Sequence, residues 1–238
     1  MAAANFRPNI VPEESGEAAD FDIVTSGSLH VHRDDDPFDI CFVRNSRERK
    51  HIILYTFFYS GLRIRNSPNI TDVYAVAELT TRDGRGTRLE ITIGKNQLGV
   101  IHAEIKLINK LRSFFNASQG IVNIKIWINF SPCRGCSEEL LSFFQEKSMY
   151  INSRVIVFPF LYKIHKWRNV VGLQKLKLSG ISLSTFSEAD WAKLQQLLYV
   201  SPEDSIFPPV DTAARTGQDQ HNAITLRHLM ITQIDLQQ

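Results

Sequence analysis

Two short motifs, far apart in the chain, must meet in space if their residues are to act together. The first is His102-Ala103-Glu104, and the second is Pro132-Cys133-Arg134-Gly135-Cys136. Together they supply one imidazole and two thiols, the kinds of ligand that zinc prefers, and three such ligands leave the fourth tetrahedral position open. The fold must therefore bring residue 102 next to residues 133 and 136.

An open metal position points to catalysis. Zinc lowers the pKa of a bound water from about 15.7 to about 7, so hydroxide forms at neutral pH. Glu104 can carry a proton from that water to a leaving amine. The order H-x-E followed by P-C-x-x-C is the signature of zinc deaminases that act on nucleobases. The motifs predict one zinc ion per chain, held by His102, Cys133 and Cys136, with Glu104 as the catalytic residue.

A closed, four-ligand structural zinc site is the alternative. It would need one more cysteine or histidine, and Cys41 is the only other cysteine of the three in the chain. His51 and His165 remain as histidine candidates, but neither has ligand-like spacing to the Cys133 and Cys136 pair. The open, catalytic site is therefore favoured.

Hydrophobic periodicity places both motifs at helix starts. Apolar residues recur every three or four positions over Ile101–Phe115, which predicts a helix beginning at the first motif. The alternating stretch Ile121–Phe130 predicts a strand. Pro132 then favours a helix opening, in whose first turn proline is tolerated, and Cys133 and Cys136 would share one side of that helix. Two positive helix ends would then converge on the metal and favour thiolates.

The remaining patterns predict an alternation of strands and helices. A helix separates the fourth and fifth strands, so these two strands are expected to run parallel. The predicted strands are Val73–Thr80 and Thr87–Ile93, joined as a hairpin by Arg82–Gly86, then Arg154–Phe158 and Ile181–Phe186; the predicted helices are His51–Ser60, Trp167–Leu178, Glu188–Tyr199 capped by Ser187, and His221–Gln233, with a loop over Ser201–Gly217.

Charge divides the chain unevenly. Residues 1–40 hold nine acidic and two basic side chains, whereas residues 41–238 hold 16 acidic and 25 basic ones, and the two parts sum to the net charge of +2. This predicts an acidic, partly flexible extension over residues 1–45 and a single zinc-dependent deaminase domain over residues 46–238. The basic charge of residues 41–238 suits a polyanionic partner.

The sequence also indicates a cellular location. No apolar stretch approaches the roughly 20 residues that span a bilayer, and Met1–Glu14 lack the layout of a secretion signal. Low cysteine use agrees with a reducing compartment. We therefore expect an intracellular protein of the cytoplasm or nucleus with no membrane partner.

With the motifs placed, the chain resembles the AID/APOBEC family of polynucleotide cytidine deaminases over roughly residues 50 to 235. The resemblance implies an α/β, cytidine-deaminase-like fold, in which a five-stranded mixed sheet with parallel last two strands is flanked by about six helices. Free-nucleoside cytidine deaminases have a hairpin there instead. Beyond the two motifs, the resemblance is carried by Leu54-Tyr55, Asp72-Val73-Tyr74-Ala75-Val76, Leu161-Tyr162, Gly172-Leu173, Leu178, Gly180-Ile181, Phe186-Ser187 and Trp191.

The resemblance implies hydrolytic deamination of cytosine to uracil in single-stranded DNA or RNA. It implies that Tyr162 stacks near the target base, in a loop rich in aromatic and basic residues that suits a single strand. Further substrate contacts are expected at Phe130, Ser131, Ala103 and Asn96.

Two departures from the family pattern keep other functions open. Asn129-Phe130-Ser131 stands where the family usually has Ser-Trp-Ser, so Phe130 keeps a ring but lacks the indole N–H. The loop beginning at Phe160 lacks the arginine often found at its start. A catalytically weak or inactive relative that binds nucleic acid or a partner is one alternative. A tRNA adenosine or free-nucleoside deaminase is another, because such enzymes share the two motifs. The choice between DNA and RNA and the question of homo-oligomers stay open.

Overall fold

The structure is a computed structural model that describes residues 47–62, 70, 72–81, 87–95, 101–117, 120–198, 200 and 207–231. The predicted acidic extension over residues 1–45 lies outside the described residues. So do Cys41, Asn96 and the loop Arg82–Gly86 of the predicted hairpin.

Eleven α-helices and β-strands follow one another along the described chain. The strands form one sheet, and the helices cover its two faces. The elements are α1 (Arg47–Tyr59), β1 (Asp72–Thr81), β2 (Thr87–Lys95), α2 (Ala103–Ala117), β3 (Val122–Ile128), α3 (Arg134–Glu146), β4 (Ile151–Phe158), α4 (Trp167–Leu178), β5 (Ser182–Thr185), α5 (Glu188–Leu197) and α6 (Pro209–Ile231).

The sheet is mixed, and its strand directions decide where a site can form. The order is β2-β1-β3-β4-β5. β1 runs antiparallel to both β2 and β3, whereas β3, β4 and β5 run parallel to one another. The predicted mixed sheet with a parallel last pair is confirmed. Because only β1 is reversed, β2, β3 and β4 all end at one edge of the sheet, which we call the carboxyl edge.

Helices pack on both faces of this sheet. Alternation along β1 places Ala75 and Ala77 in a core shared with α2, α3 and α4. Tyr74 and Val76 face a second core formed with α1 and α5. Both sets are buried, so the sheet is the middle of three layers. Among the described helices, none is long and apolar enough to span a bilayer.

Two ion pairs and a cap hold α5 on the second face. Lys193 Nζ lies 2.7 Å from Glu78 of β1, and Lys125 Nζ of β3 lies 2.7 Å from Asp190. The Ser187 side chain accepts a hydrogen bond from the Asp190 N–H, and Asp190 accepts from the Ser187 N–H in return. The predicted Ser187 cap is confirmed.

The last helix begins earlier than predicted. The prediction placed a loop over Ser201–Gly217 and a helix over His221–Gln233, but α6 runs from Pro209 to Ile231. That prediction is wrong for the residues from 209 onward; residues 201–206 lie outside the described part. Proline fits the first position of a helix, and Asp211 in the first turn stabilises the positive helix end. Proline and aspartate are common in loops, but here Pro209 and Asp211 start a helix.

A buried arginine fastens α6 to the carboxyl edge. Arg215 is 2% exposed. Its guanidinium donates to the backbone oxygen of Ser60 at 3.0 Å and to that of Pro159 at 2.9 Å. It also pairs with Asp219 at 2.6 Å, and Asp219 accepts from the Trp191 indole N–H at 2.8 Å. Such partners offset the cost of burying the charge of the guanidinium.

Replacing this arginine should destabilise the fold strongly. Arg215→Met keeps much of the side-chain volume but leaves Asp219 buried without its cation, so we expect the free energy of unfolding to fall by about 3–5 kcal/mol. Arg134→Met is the matched control, because Arg134 and Glu138 form an exposed pair with the same i,i+4 spacing. Urea denaturation should show a change of no more than about 0.5 kcal/mol for the control. Equal losses for both variants would contradict the role of Arg215.

Candidate metal centre

Both motifs lie at the starts of helices that follow strands ending at the carboxyl edge. His102 directly precedes α2, and its backbone oxygen accepts from Ile105 N–H at 3.1 Å. Cys133 is the N-cap of α3, and its backbone oxygen accepts from Ser137 N–H at 2.9 Å. Two predicted ligands therefore occupy equivalent helix-start positions, where the helix dipole creates positive potential.

One expectation about the second motif was wrong. Pro132 was expected in the first turn of α3, but Cys133 is extended (ψ 172°) and α3 begins at Arg134. Pro132 thus precedes the cap instead of opening the helix. Cys136 does lie in the first turn, and it is buried.

The predicted ligand atoms come together. His102 Nδ1 lies 3.1 Å from Cys136 Sγ and 3.7 Å from Cys133 Sγ. In the described part of the chain, these three residues form the group that could hold a metal ion, with ligand atoms all within 4.8 Å of one another. A tetrahedral zinc ion at ordinary bond lengths separates nitrogen and sulfur by about 3.6 Å. The donor set and its spacing therefore fit zinc.

The two thiols are electrostatically unequal. The hydrogen bond with Cys136 lowers the pKa of the Cys133 thiol to about 5. The same hydrogen bond and burial raise the pKa of the Cys136 thiol above its ordinary value. The protein groups alone thus stabilise one thiolate of the pair. A divalent cation would stabilise the second, as thiolate ligands require.

Glu104 lies in the first turn of α2 beside this group. It is 4% exposed, and its Oε2 has no hydrogen-bond partner. Burial is the largest cause that raises the pKa of the Glu104 carboxyl, and the Cys133 thiolate raises it further. A buried carboxyl with one unpaired oxygen is suited to exchanging protons with a molecule that enters the site.

An aromatic cluster borders the group where β3 and β4 end. Ser131 N–H donates to the Phe160 backbone oxygen at 2.8 Å, and Ser131 Oγ accepts from Tyr162 N–H at 2.8 Å. The Phe130 ring meets the rings of Phe160 and Tyr162 edge-on, with centroids 5.8 Å apart in each pair. Phe130 is buried, whereas Tyr162 is half-buried. The predicted contacts Phe130, Ser131 and Tyr162 therefore form one unit.

The end of α1 packs against this cluster. Gly61 has a φ of +68°, and a Cβ there would lie 1.9 Å from the Phe160 ring. Only glycine fits both the left-handed backbone and the close approach. Ala103, another predicted contact, is fully buried as the first residue of α2.

Positive charge is exposed beyond Tyr162. The segment Lys163–Arg168 leads into α4, and Trp167 within it is 54% exposed. Lys163, His165, Lys166 and Arg168 are also exposed. Lys163 Nζ lies 4.7 Å from the centre of the Tyr162 ring. Exposed cations beside aromatic faces are typical of surfaces that bind single-stranded nucleic acid.

Two buried asparagines, neither of them predicted as a site residue, hold segments of this region together by hydrogen bonds. Asn129 Oδ1 accepts from Tyr74 N–H at 2.8 Å, and its Nδ2 donates to Ser60 Oγ at 3.0 Å. Asn169 connects the start of α3 to the residues after β4. Asparagine is commonest in exposed turns, so single-residue patterns carry no signal for these roles. The position of Asn129, three residues before the second motif, was the one available indication.

Comparison with known proteins identifies the family. The APOBEC3H family model matches residues 72–196, which is more than half of the chain. The chain belongs to the APOBEC3H family. The matched range runs from β1 through α5 and includes both motifs and Tyr162.

A curated relative agrees with this membership. The chain is 28% identical over 108 residues to the DNA dC->dU-editing enzyme APOBEC-3H of Felis catus. The alignment covers 45% of this chain and 54% of the relative, so the chain spans about half the length of the curated relative it matches.

Metal content gives a direct check of the candidate centre in this APOBEC3H family member. Cys133→Ser should reduce bound zinc from about one ion per chain to near zero, measured by plasma mass spectrometry. It should also lower the Tm by about 10 °C, because metal held far above its dissociation constant stabilises the folded state by about 3–4 kcal/mol. Cys41→Ser is the control and should keep the metal. Full zinc content with unchanged Tm in Cys133→Ser would contradict the site.

Proposed function

We propose that this chain is a zinc-dependent deaminase that converts cytosine to uracil in single-stranded DNA. The observation that carries the proposal is the placement of the Glu104 carboxyl, buried and with an unpaired oxygen, beside the group of His102, Cys133 and Cys136. Membership in the APOBEC3H family supports the reaction type. The feline relative is a DNA dC->dU-editing enzyme, which supports DNA as the polymer.

In this proposal His102, Cys133 and Cys136 hold the zinc ion, which when bound supplies a water activated for attack on carbon 4 of cytosine. Three protein ligands leave a position for that water. The N-termini of α2 and α3 add positive potential around the thiolates. The two cysteines must stay reduced to bind metal, so we assign the protein to the cytoplasm or nucleus.

Glu104 is the proton carrier of the reaction. Water adds its oxygen to carbon 4, the bond from carbon 4 to the amino nitrogen breaks, and ammonia leaves. One proton of the water ends on ring nitrogen 3 and the other on the ammonia. The raised pKa of the Glu104 carboxyl suits a group that must both accept and return these protons.

The substrate base enters from a single strand. A base must be unstacked to reach a buried carboxyl, and this costs least where no partner strand holds it. We assign the Tyr162 ring to stacking against the target or its neighbour, with Phe130, Ser131 and Ala103 shaping the pocket. The exposed cations of Lys163–Arg168 would contact the phosphates. Asn96, the other predicted contact, lies outside the described residues.

Uracil formation is the test of this function. Glu104→Gln keeps the size of the side chain but cannot carry a proton, so we expect the rate on a cytosine-containing DNA strand to fall at least about 100-fold. Zinc content and strand affinity should stay at wild-type values. Glu138→Gln, in an exposed residue of α3, is the control and should remain active. Equal uracil formation by Glu104→Gln and wild type would refute the role of Glu104.

The same assay separates the alternative functions. Wild-type protein that binds strands but forms no uracil in DNA or RNA would indicate a binding protein. Conversion of adenosine or of free cytidine, without conversion in DNA, would indicate another branch of the zinc deaminases.

The stacking role of Tyr162 is tested by binding. Tyr162→Ala should weaken single-strand binding by about 1–3 kcal/mol, the usual contribution of one base stacked on an aromatic ring. Tyr162→Phe keeps the ring and should bind like wild type. Tyr150→Ala removes an exposed tyrosine that lies after α3, and it should have no effect. Fluorescence anisotropy with a labelled oligonucleotide measures all three, and unchanged affinity of Tyr162→Ala would make Tyr162 a packing residue.

A further inference from the structure

Asn169, in the first turn of α4, bridges two segments of the candidate site. Its Oδ1 accepts from Arg134 N–H at 3.1 Å. Its Nδ2 lies 3.4 Å from the Tyr162 backbone oxygen and 3.3 Å from that of Lys163. The side chain is buried. The Arg134 N–H needs an acceptor, whereas the carbonyls of Tyr162 and Lys163 need donors. The Asn169 amide can therefore adopt only this orientation.

Close packing of α3 and α4 brings Asn169 within hydrogen-bond distance of Arg134. Gly172, one turn further along α4, faces the start of α3. A Cβ at this position would lie 2.9 Å from Ser137 Oγ and 3.3 Å from Arg134 Cα. Residues three apart share a helix face, so the small size of Gly172 lets Asn169 approach the backbone of Arg134.

The turn that Asn169 holds is strained and exposed. Lys163 has a φ of 45°, a left-handed conformation that costs free energy in residues other than glycine. Its side chain is exposed, so burial does not fix it. The hydrogen bonds of Asn169 to the carbonyls of Tyr162 and Lys163 therefore help to stabilise this conformation. Lys166 N–H, which donates to the Lys163 oxygen at 2.9 Å, contributes as well.

Hydrogen bonds on both sides of Tyr162 link its backbone to residues close to Cys133 in the sequence. Its N–H is held by Ser131, two residues before Cys133. Its C=O is held by Asn169, which in turn is anchored to Arg134, the residue after Cys133. The peptide groups before and after Tyr162 are thus both linked to residues that flank Cys133, a predicted metal ligand.

We propose that Asn169 is a positioning residue that fixes the Tyr162 ring relative to the metal centre and so sets how tightly the substrate strand is held. The proposal rests on the proposed function for the identity of that strand. Asn169 acts through Tyr162 and contacts neither metal nor base. Only an amide serves, because the side chain must accept at one end and donate at the other.

Asn169→Asp keeps the accepting end of the side chain and removes its donating end. Aspartate still accepts from Arg134 N–H, and its charge is favourable at the start of α3, but it cannot donate to the two carbonyls. Asn169→Ala removes both ends. Gln174→Glu is the matched control: Gln174 is a buried amide on the same helix that donates to the Leu229 backbone oxygen at 2.7 Å, away from the turn.

Oligonucleotide affinity, zinc content and amide exchange should be measured on the zinc-loaded full chain. We expect Asn169→Asp to keep its zinc, to raise the Kd for a single-stranded DNA about 5- to 10-fold, the effect of one lost hydrogen bond, and to speed exchange of the Tyr162 amide. Gln174→Glu should leave affinity and that amide unchanged. In a Tyr162→Ala background, Asn169→Asp should cost no further affinity, because the two residues act as one unit.

Three outcomes would overturn the positioning role. One is unchanged affinity and exchange in both Asn169→Asp and Asn169→Ala. Another is a loss that simply adds to that of Tyr162→Ala. The third is an equal loss in Gln174→Glu, which would mean a general effect on stability. If wild type binds no single strand, the proposed function fails and the role of Asn169 in holding the strand fails with it, while amide exchange still decides whether Asn169 fixes the turn.

Discussion

The convergence of two helix starts at one sheet edge is the constraint on which the site depends. His102 and Cys133 each cap a helix, and α2 and α3 reach the carboxyl edge because β2 and β3 end there. This is the usual location of sites in sheets whose strands run in parallel, since the loops after the strands gather there. It brings an imidazole within 3.1 Å of a thiol that is 34 positions away in sequence. Any change that separates these two helix starts removes the ligand group.

Much of this arrangement could be predicted, because the chemistry and the local pattern agree. Metal ligands must share a site, so His102, Cys133 and Cys136 had to meet. Hydrophobic periodicity placed each motif at a helix start, and the helix between the fourth and fifth strands required a parallel pair. The strand order, which places the ends of β2, β3 and β4 at the carboxyl edge, comes from the structure. The acidic extension over residues 1–45 and the contact at Asn96 stay predictions, since they lie outside the described residues.

What could not be predicted depends on long-range partners of polar residues. Arg215 lies in a stretch with prolines and aspartates that resembled a loop, yet its guanidinium is buried among backbone oxygens of α1 and of the residues after β4. Asn129 and Asn169 likewise matter because of carbonyl and N–H groups far away in the sequence. Hydrophobic periodicity predicts which apolar side chains are buried, but it carries no information on these polar contacts. The spacing of Pro209, Arg215 and Asp219, a helix-start proline followed by an i,i+4 ion pair, is the signal that would have extended α6.

The coordination of the metal tests the central claim most directly. X-ray absorption at the zinc edge of the purified wild-type protein should show two sulfur neighbours at about 2.3 Å and two lighter neighbours at about 2.0–2.1 Å, one of them the His102 nitrogen and the other exchangeable. A crystal structure of the zinc-loaded protein would then place a water in the fourth position. A third sulfur, which only Cys41 could supply, or a fourth protein ligand in that position, would mean a closed structural site and would contradict a catalytic one.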